Sequence, residues 1–136
     1  MAAKDAKDEY LDASANARQF NTLRFAELTI FVSVTGALVA VTFSGVASSP
    51  DRFVTVALKG LGLAVAALFW ILEGRTMLYW RHFVNRAAEL EEELGYRQYS
   101  TRPKEGVMTG HRAIRSLLAL VAALWIVSLV RDVMPA

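Results

Sequence analysis

The chain has no cysteine and only two histidines among its 136 residues. The missing cysteines exclude disulfides, thiolate nucleophiles and thiolate-ligated metal or iron–sulfur sites. His82 and His111 make a poor haem-binding pair, because His82 lies well beyond the apolar stretch that ends at Leu72 and His111 follows a glycine in a predicted loop. The motifs of zinc proteases, nucleotide-binding glycine loops, serine hydrolases and EF-hands are also missing. We therefore expect no enzyme activity, no cofactor and no metal ion.

Charged residues are absent from long parts of the chain, although 21% of all residues are charged. Residues 28–50 and 116–130 contain no charged side chain, and residues 53–72 contain only Lys59. A bilayer core about 30 Å thick needs roughly 20 apolar residues in a helix that crosses it. Two of the stretches meet that length. The shorter one, 116–130, meets it when the arginines at its two ends extend their charges outward.

These stretches predict an all-α integral membrane protein with three transmembrane helices, the first two extended into a cytoplasmic antiparallel helical hairpin. We expect a single membrane domain over 1–136, divided into a cytoplasmic N-terminal helix 1–26, a first span 27–47, a second span 53–72, a cytoplasmic helical stalk 73–94, a cytoplasmic loop 95–112 and a third span 113–131. The three prolines, at positions 50, 103 and 135, all lie outside the predicted spans.

Basic residues are distributed unevenly around the predicted spans. Twelve of them lie in residues 1–26 or 73–115, whereas only Arg52 and Arg131 lie on the opposite side. Basic residues are enriched on the cytoplasmic side of membrane proteins. We therefore expect a multi-pass protein with its N-terminus in the cytoplasm and its C-terminus outside. Its small size and its richness in alanine and valine favour a bacterial inner membrane.

No proline interrupts residues 53–94, so they are predicted to form one helix that leaves the membrane as a cytoplasmic stalk. Ser49 or Asp51 can cap the start of this helix, where a side-chain oxygen accepts a bond from a free backbone N–H group. Gly95 can cap its end, because glycine adopts the left-handed conformation that closes many helices.

An apolar stripe continues along this helix beyond the membrane. Its members recur every three or four residues, as in a heptad seam: Trp80, Phe83, Ala87, Leu90 and Leu94. A similar stripe near the N-terminus consists of Tyr10, Ala13, Ala17 and Phe20. Two interpretations stay open: the stripes pack together within the chain, or the longer one binds a partner protein or a second copy. The carboxylates of ELEEELG, residues 89–95, are expected to be solvated.

Charged residues also lie at or within the predicted spans. At the cytoplasmic boundary we predict two pairs, Arg24–Glu73 and Glu27–Arg75, which either fasten two helices together or form an entry gate for ions. Lys59 lies about two turns inside the second span. It either marks a functional site, or its side chain extends outward to meet Asp51 or Asp132.

Aromatic and arginine residues alternate near the place where the second span ends. Tryptophan and tyrosine favour the headgroup layer of a membrane, and Trp70, Tyr79, Tyr96 and Tyr99 are placed to reach it. The arginines between them can meet lipid phosphates. We therefore expect membrane lipids as partners and no nucleic acid.

Small residues follow one face of each span, and such faces allow close helix packing in lipid. The faces are Ser33, Gly36, Ala40 and Ser44; Ala57, Gly60, Ala64 and Ala67; and Ala119 with Ala122 or Ala123. Packing within one chain leaves at least one of these faces free for another subunit. The first hypothesis is therefore a small non-enzymatic membrane protein that acts by assembly, as a homo-oligomer or as an accessory subunit of a larger membrane complex.

The alternative is an oligomeric ion channel or pore-forming membrane effector. Its lumen would be lined by hydroxyl groups of the first span, with Lys59 and Glu73 as charged rings. The organisation of a few long helices with cytoplasmic extensions resembles small bacterial pore-forming effector domains in plan, and that resemblance assigns no role to any residue.

Overall fold

The structure is a computed structural model that describes residues 3–43, 51–101 and 109–134. Within these ranges the only regular elements are three helices, α1 (Ala3–Phe43), α2 (Arg52–Leu94) and α3 (Gly110–Val133). The predicted all-α class is therefore confirmed. Ser44, Ser49 and residues 102–108 of the predicted loop lie outside the described residues.

All three helices are long and apolar enough to cross a membrane. With 24 residues, α3 extends about 36 Å at the helical rise of about 1.5 Å per residue. It therefore exceeds the hydrocarbon thickness of about 30 Å, although its charge-free stretch is shorter. The other two helices, with 41 and 43 residues, are about twice as long as a bilayer core requires.

The helix α2 continues without a break past Glu73, where its sequence changes from apolar to charged. Its start is capped by Asp51, whose carboxylate accepts a hydrogen bond of 3.1 Å from the N–H of Phe53. It ends at Gly95, which has a φ of 71°. The N–H of Tyr96 then donates to the carbonyl of Glu91 over 3.1 Å, which is the closing bond of a Schellman motif. The prediction of one helix over 53–94, closed by Gly95, agrees with these bounds.

One compact unit is formed by Met1–Ala26 and Glu73–Thr109. Its buried core takes residues from α1 and α2, namely Ala6, Tyr10, Ala13, Ala87 and Leu90, with Leu94 and Tyr99 packed against them. Further along, the ring of Phe20 stacks on Tyr79 and Phe83, with centroid distances of 5.5 and 5.6 Å. Contacts that lie later in α1 are therefore made with residues that lie earlier in α2. The alanines on both helices let the backbones approach while tyrosine and leucine fill the remaining space.

The second compact unit consists of Glu27–Leu72 and Gly110–Ala136. Its core cluster contains Phe31, Ala66 and Leu118, and the ring of Phe31 lies 5.3 Å from that of Phe69. Only 11%, 17% and 11% of the residues in the most apolar stretches of α1, α2 and α3 are buried within the chain. Most of this apolar surface is therefore not covered by the described residues.

Gly62 provides the space for the largest buried side chain of this unit. Trp125 is 0% exposed, and its indole lies directly over Gly62, so that a Cβ added there would come within 2.3 Å of the ring. Gly60, on the same helix, has no atom within 4 Å of an added Cβ. The close approach of α3 to α2 at Trp125 thus requires glycine at position 62 and not at position 60.

We predict that Gly62→Ala destabilises the protein by about 1–3 kcal/mol, because the added methyl group must displace an enclosed indole. Gly60→Ala is the matched control, and it should be neutral or stabilise by up to about 1 kcal/mol, since alanine favours a helix over glycine. Thermal unfolding of the purified protein, followed by tryptophan fluorescence, measures both effects. Equal midpoints for the two variants would contradict the packing described here.

Candidate functional site

Lys59 is buried in the second unit and is neutralised by α3. The lysine is 5% exposed, and its Nζ donates to Oδ2 of Asp132 over 2.5 Å and to the carbonyl of Ser128 over 3.3 Å. The same Nζ lies 5.8 Å from the ring centroid of Phe43, within the range of a cation–π interaction. Of the two carboxylates expected from the sequence, Asp51 and Asp132, the structure brings Asp132 to Lys59.

The end of α3 is held by a second basic side chain. Arg52 donates through Nη2 to the backbone carbonyl of Asp132 over 2.9 Å. The last carbonyl groups of a helix lack partners within the helix, and their partial negative charge favours nearby cations. Arg52 therefore satisfies a terminal acceptor of α3, and Lys59, also on α2, bonds a carbonyl about one turn earlier.

Arg24 and Glu73 form a second buried pair, in the first unit. The arginine donates from Nε to Oε1 and Oε2 of Glu73 over 2.9 and 3.1 Å, and Nη2 lies 2.8 Å from Oε1. Glu73 is only 4% exposed. The forked contact matches the planar guanidinium to the carboxylate and suits a buried pair. The structure thus brings together the two residues of one predicted pair and fastens α1 to α2 through them.

The other predicted pair, Glu27–Arg75, stays a prediction. Glu27 is half-buried, and Arg75 is exposed. In the described part of the chain, no group of three or more histidine, aspartate or glutamate side chains is placed to hold a metal ion.

The predicted stripe on α2 is used mainly inside the chain. Ala87 is 0% exposed, and Leu90 lies in the same core. Trp80, Phe83 and Leu94 are half-buried. Of the two interpretations, packing within the chain therefore describes Ala87 and Leu90, and these two side chains do not present a surface to another protein.

Glu91 is the centre of a cluster that sequence reasoning missed. This carboxylate is 1% exposed and accepts hydrogen bonds of 2.8 Å each from the backbone N–H groups of Gln98, Tyr99 and Ser100. The hydroxyl of Tyr10 donates to it from 3.2 Å. We name these residues the Glu91 clamp, since one side chain of α2 holds the turn that follows the helix and also the side chain of α1.

The charge of Glu91 is favoured by its hydrogen bonds. Burial alone raises the pKa of the Glu91 carboxyl. The hydrogen bonds from the N–H groups of Ser100 and Tyr99 lower it by more than burial raises it, so the pKa lies below the usual value. Burial, together with the neighbouring carboxylate, raises the pKa of Tyr10. At neutral pH the clamp therefore holds an anionic glutamate and a neutral tyrosine hydroxyl.

The expectation that the ELEEELG carboxylates are solvated is right for the exposed Glu89, Glu92 and Glu93, and it is wrong for Glu91. A helix turns about 100° per residue. Glu91 therefore lies about 40° from Ala87 around the helix axis, closer than Leu90 at about 60°. A stripe defined only by spacings of three and four residues does not include Glu91. The angular position of Glu91 around the helix axis, in contrast, places it on the buried face.

A further charged residue, Arg115, lies against an aromatic ring in the second unit. The Cζ atom of Arg115 is 5.2 Å from the ring centroid of Trp70. Its Nε is shielded from solvent and donates to no acceptor in residues 3–43, 51–101 or 109–134. Trp70 itself remains exposed.

Comparison with known proteins gives no match: no family model, no curated protein and no solved structure matches this chain. Function is therefore inferred from the contacts and surfaces described above.

Proposed function

We propose that this chain is a small, non-enzymatic, multi-pass membrane protein that acts by assembly, either with copies of itself or as an accessory subunit of a larger membrane complex. Three helices of spanning length support a membrane location. Their apolar stretches are mostly uncovered by the chain, and such surfaces are stable only against lipid or another apolar surface.

The proposed orientation follows the distribution of basic residues. The N-terminus and the segment between the second and third spans face the cytoplasm of a bacterial inner membrane, and the C-terminus faces outward. In this arrangement the first unit, with its antiparallel contacts between α1 and α2 and the Glu91 clamp, forms a cytoplasmic hairpin. The clamp fixes the turn after α2 and gives the hairpin a defined end.

One observation carries the assembly proposal: the predicted small-residue face of α2 is exposed along its length. Ala57, Gly60, Ala64 and Ala67 are all exposed, and an alanine Cβ at Gly60 would touch nothing. Contact with lipid alone does not call for small residues, whereas close helix–helix packing does. This face is therefore the surface that we assign to another subunit.

The other side of α2 shows what small residues do when they are used within the chain. Gly62 and Ala66 are both buried; Gly62 accommodates Trp125, and Ala66 packs in the core with Phe31 and Leu118. This comparison supports the proposal that the exposed small-residue face of α2 packs against a helix of another chain.

We predict that Gly60→Leu disrupts assembly, because leucine would separate the backbones that the small-residue face allows to approach. The measurement is the mass of the intact complex by native mass spectrometry from nanodiscs, with all co-purifying proteins identified. Wild type should give one homo-oligomer or a stoichiometric complex with a partner, and the variant should give mainly single chains.

Leu61→Phe is the matched control, since it adds bulk at the next position, which is already large and exposed. It should leave the mass unchanged. A wild-type protein that is a single chain without partners would disprove assembly.

The buried state of Lys59 favours assembly over the pore alternative. A charged ring in a lumen requires a lysine that faces water, whereas Lys59 is 5% exposed and bonded to Asp132. Its charge is already compensated inside the chain. A pore would therefore have to be lined by other residues.

A further inference from the structure

Three cations beside the apolar stretches differ in how their charge is compensated. Lys59 and Arg24 each meet a carboxylate of the chain, Asp132 and Glu73. Among the described residues, Arg115 contacts the ring of Trp70 and forms no ion pair. A cation that is partly shielded from water is stabilised by an anion or by hydrogen-bond acceptors. Within residues 3–43, 51–101 and 109–134, Arg115 therefore has no counter-ion, whereas the other two cations each have one.

The contact of Arg115 with the ring of Trp70 does not use the N–H donors of the guanidinium. A guanidinium group presents five N–H donors in its own plane, and a ring over its face does not occupy them. This planar fork matches the oxygens of a phosphate or carboxylate. Nε itself is shielded and has no acceptor in the described part of the chain, so an external anion would bind through the two Nη groups.

The position of Arg115 indicates which anion is available. Arg115 directly precedes the charge-free residues 116–130, and Trp70 lies two residues before Leu72, the end of the apolar stretch of α2. Both side chains are therefore at the boundary of their apolar segments, at the depth where a bilayer carries its phosphates. The segment 109–116 adds Arg112 and His111 and contains no acidic residue.

We propose that Arg115 and Trp70 bind the phosphate of an anionic phospholipid in the cytoplasmic leaflet. This inference rests on the membrane location and orientation proposed above. Anionic lipids attract basic residues near that leaflet, and the exposed indole of Trp70 offers an apolar surface to the glycerol and acyl region of the same molecule. Free phosphate would use the guanidinium alone, so the pair favours a lipid.

The test compares lipid retention in native mass spectrometry after release from nanodiscs that contain equal amounts of phosphatidylglycerol and phosphatidylcholine. Wild type should retain phosphatidylglycerol preferentially. Arg115→Gln should reduce that retention by about fivefold, as expected for the loss of one basic residue at the surface. Arg115→Lys keeps the charge without the planar fork and should retain an intermediate amount. Arg18→Gln is the matched control and should behave as wild type, because Arg18 is an exposed arginine on the part of α1 that precedes the predicted first span.

Equal retention by wild type and Arg115→Gln would overturn the proposal, as would equal retention of the two lipids by wild type. Displacement of the lipid by millimolar inorganic phosphate would instead indicate a free-phosphate site and would also overturn it. The result is separate from the assembly test, because Arg115→Gln should leave the mass of the protein complex unchanged while Gly60→Leu should leave lipid retention unchanged. Failure of one proposal is thus distinguishable from failure of the other.

Discussion

Asp132→Ala is expected to destabilise the protein by about 3–5 kcal/mol, because it leaves the buried ammonium of Lys59 without its carboxylate. Lys59 is 5% exposed and has no other carboxylate partner among the described residues. Lys59→Met should cost much less, since methionine can pack against Phe43 and the Asp132 side chain, at 27% exposure, can be solvated.

The double variant, Lys59→Met with Asp132→Ala, should recover most of the stability that Asp132→Ala loses. The two effects are then strongly non-additive, which is the signature of a direct interaction in a double-mutant cycle. The apparent free energy of unfolding, measured by denaturant titration in micelles and followed by circular dichroism, gives all four values.

Arg131→Gln serves as the control, because Arg131 is the exposed neighbour of Asp132 on α3. Its effect should stay within about 0.5 kcal/mol. Additive effects in the cycle, or a larger cost for Lys59→Met than for Asp132→Ala, would contradict the account of Lys59 as a buried cation that depends on Asp132.

Glu91→Gln is expected to cost about 3 kcal/mol of local stability in the turn after α2. An amide has one accepting oxygen and an NH₂ group, so it cannot accept at both positions where the Glu91 carboxylate accepts. Both Oε atoms are in use: Oε1 accepts from the N–H of Gln98, and Oε2 from the N–H of Ser100. Glutamine would leave at least one of these part-buried N–H groups without its acceptor, and it removes the charge from the remaining bonds.

Amide hydrogen exchange at residues 98–100 measures this effect directly. Protection should fall by about a hundredfold in Glu91→Gln, the change that corresponds to about 3 kcal/mol. Glu92→Gln is the matched control, because Glu92 is the adjacent glutamate and is exposed. Unchanged exchange in Glu91→Gln would show that the clamp does not hold the turn.

The lowered pKa of Glu91 adds a pH dependence with a defined sign. A carboxyl group whose pKa is lower in the folded state stabilises that state above its unfolded pKa and loses this contribution as the pH falls through the folded pKa. The ordinary value for glutamate is 4.5. Protection of amides 98–100 should therefore be constant near neutral pH and decline only below about pH 4.5, and Glu91→Gln should remove that decline.

Much of the architecture could be predicted from the sequence because charged residues are segregated along the chain and prolines are few. The charge-free stretches predict the helices of spanning length, and the uninterrupted run to Gly95 predicts the end of α2. The Arg24–Glu73 pair could be predicted because both residues lie near the ends of apolar stretches. At that position in a membrane, few charged residues of the chain lie at the same depth and can act as partners. Lys59 could be assigned two candidate carboxylates for the same reason.

The remaining features depend on side-chain positions that periodicity does not determine. The burial of Glu91 requires three successive N–H groups from the turn, and the sequence of that turn does not indicate which atom they face. Gly60 and Gly62 are the same residue type on the same helix, and the sequence does not indicate that Gly62 is the one beneath Trp125. Which residue is buried is determined when the helices pack against each other. The sequence pattern can therefore reduce the number of candidate residues but cannot identify the buried one.

The pairing of Lys59 with Asp132 also bears on how the protein would respond to an electric field. Moving one elementary charge through a membrane under voltage involves about 2.3 kcal/mol per 100 mV. The ammonium and the carboxylate are 2.5 Å apart, so together they form a unit of zero net charge on which the field performs almost no work. In the membrane that we propose, α2 and α3 can therefore keep a lysine within an apolar segment without becoming a voltage sensor.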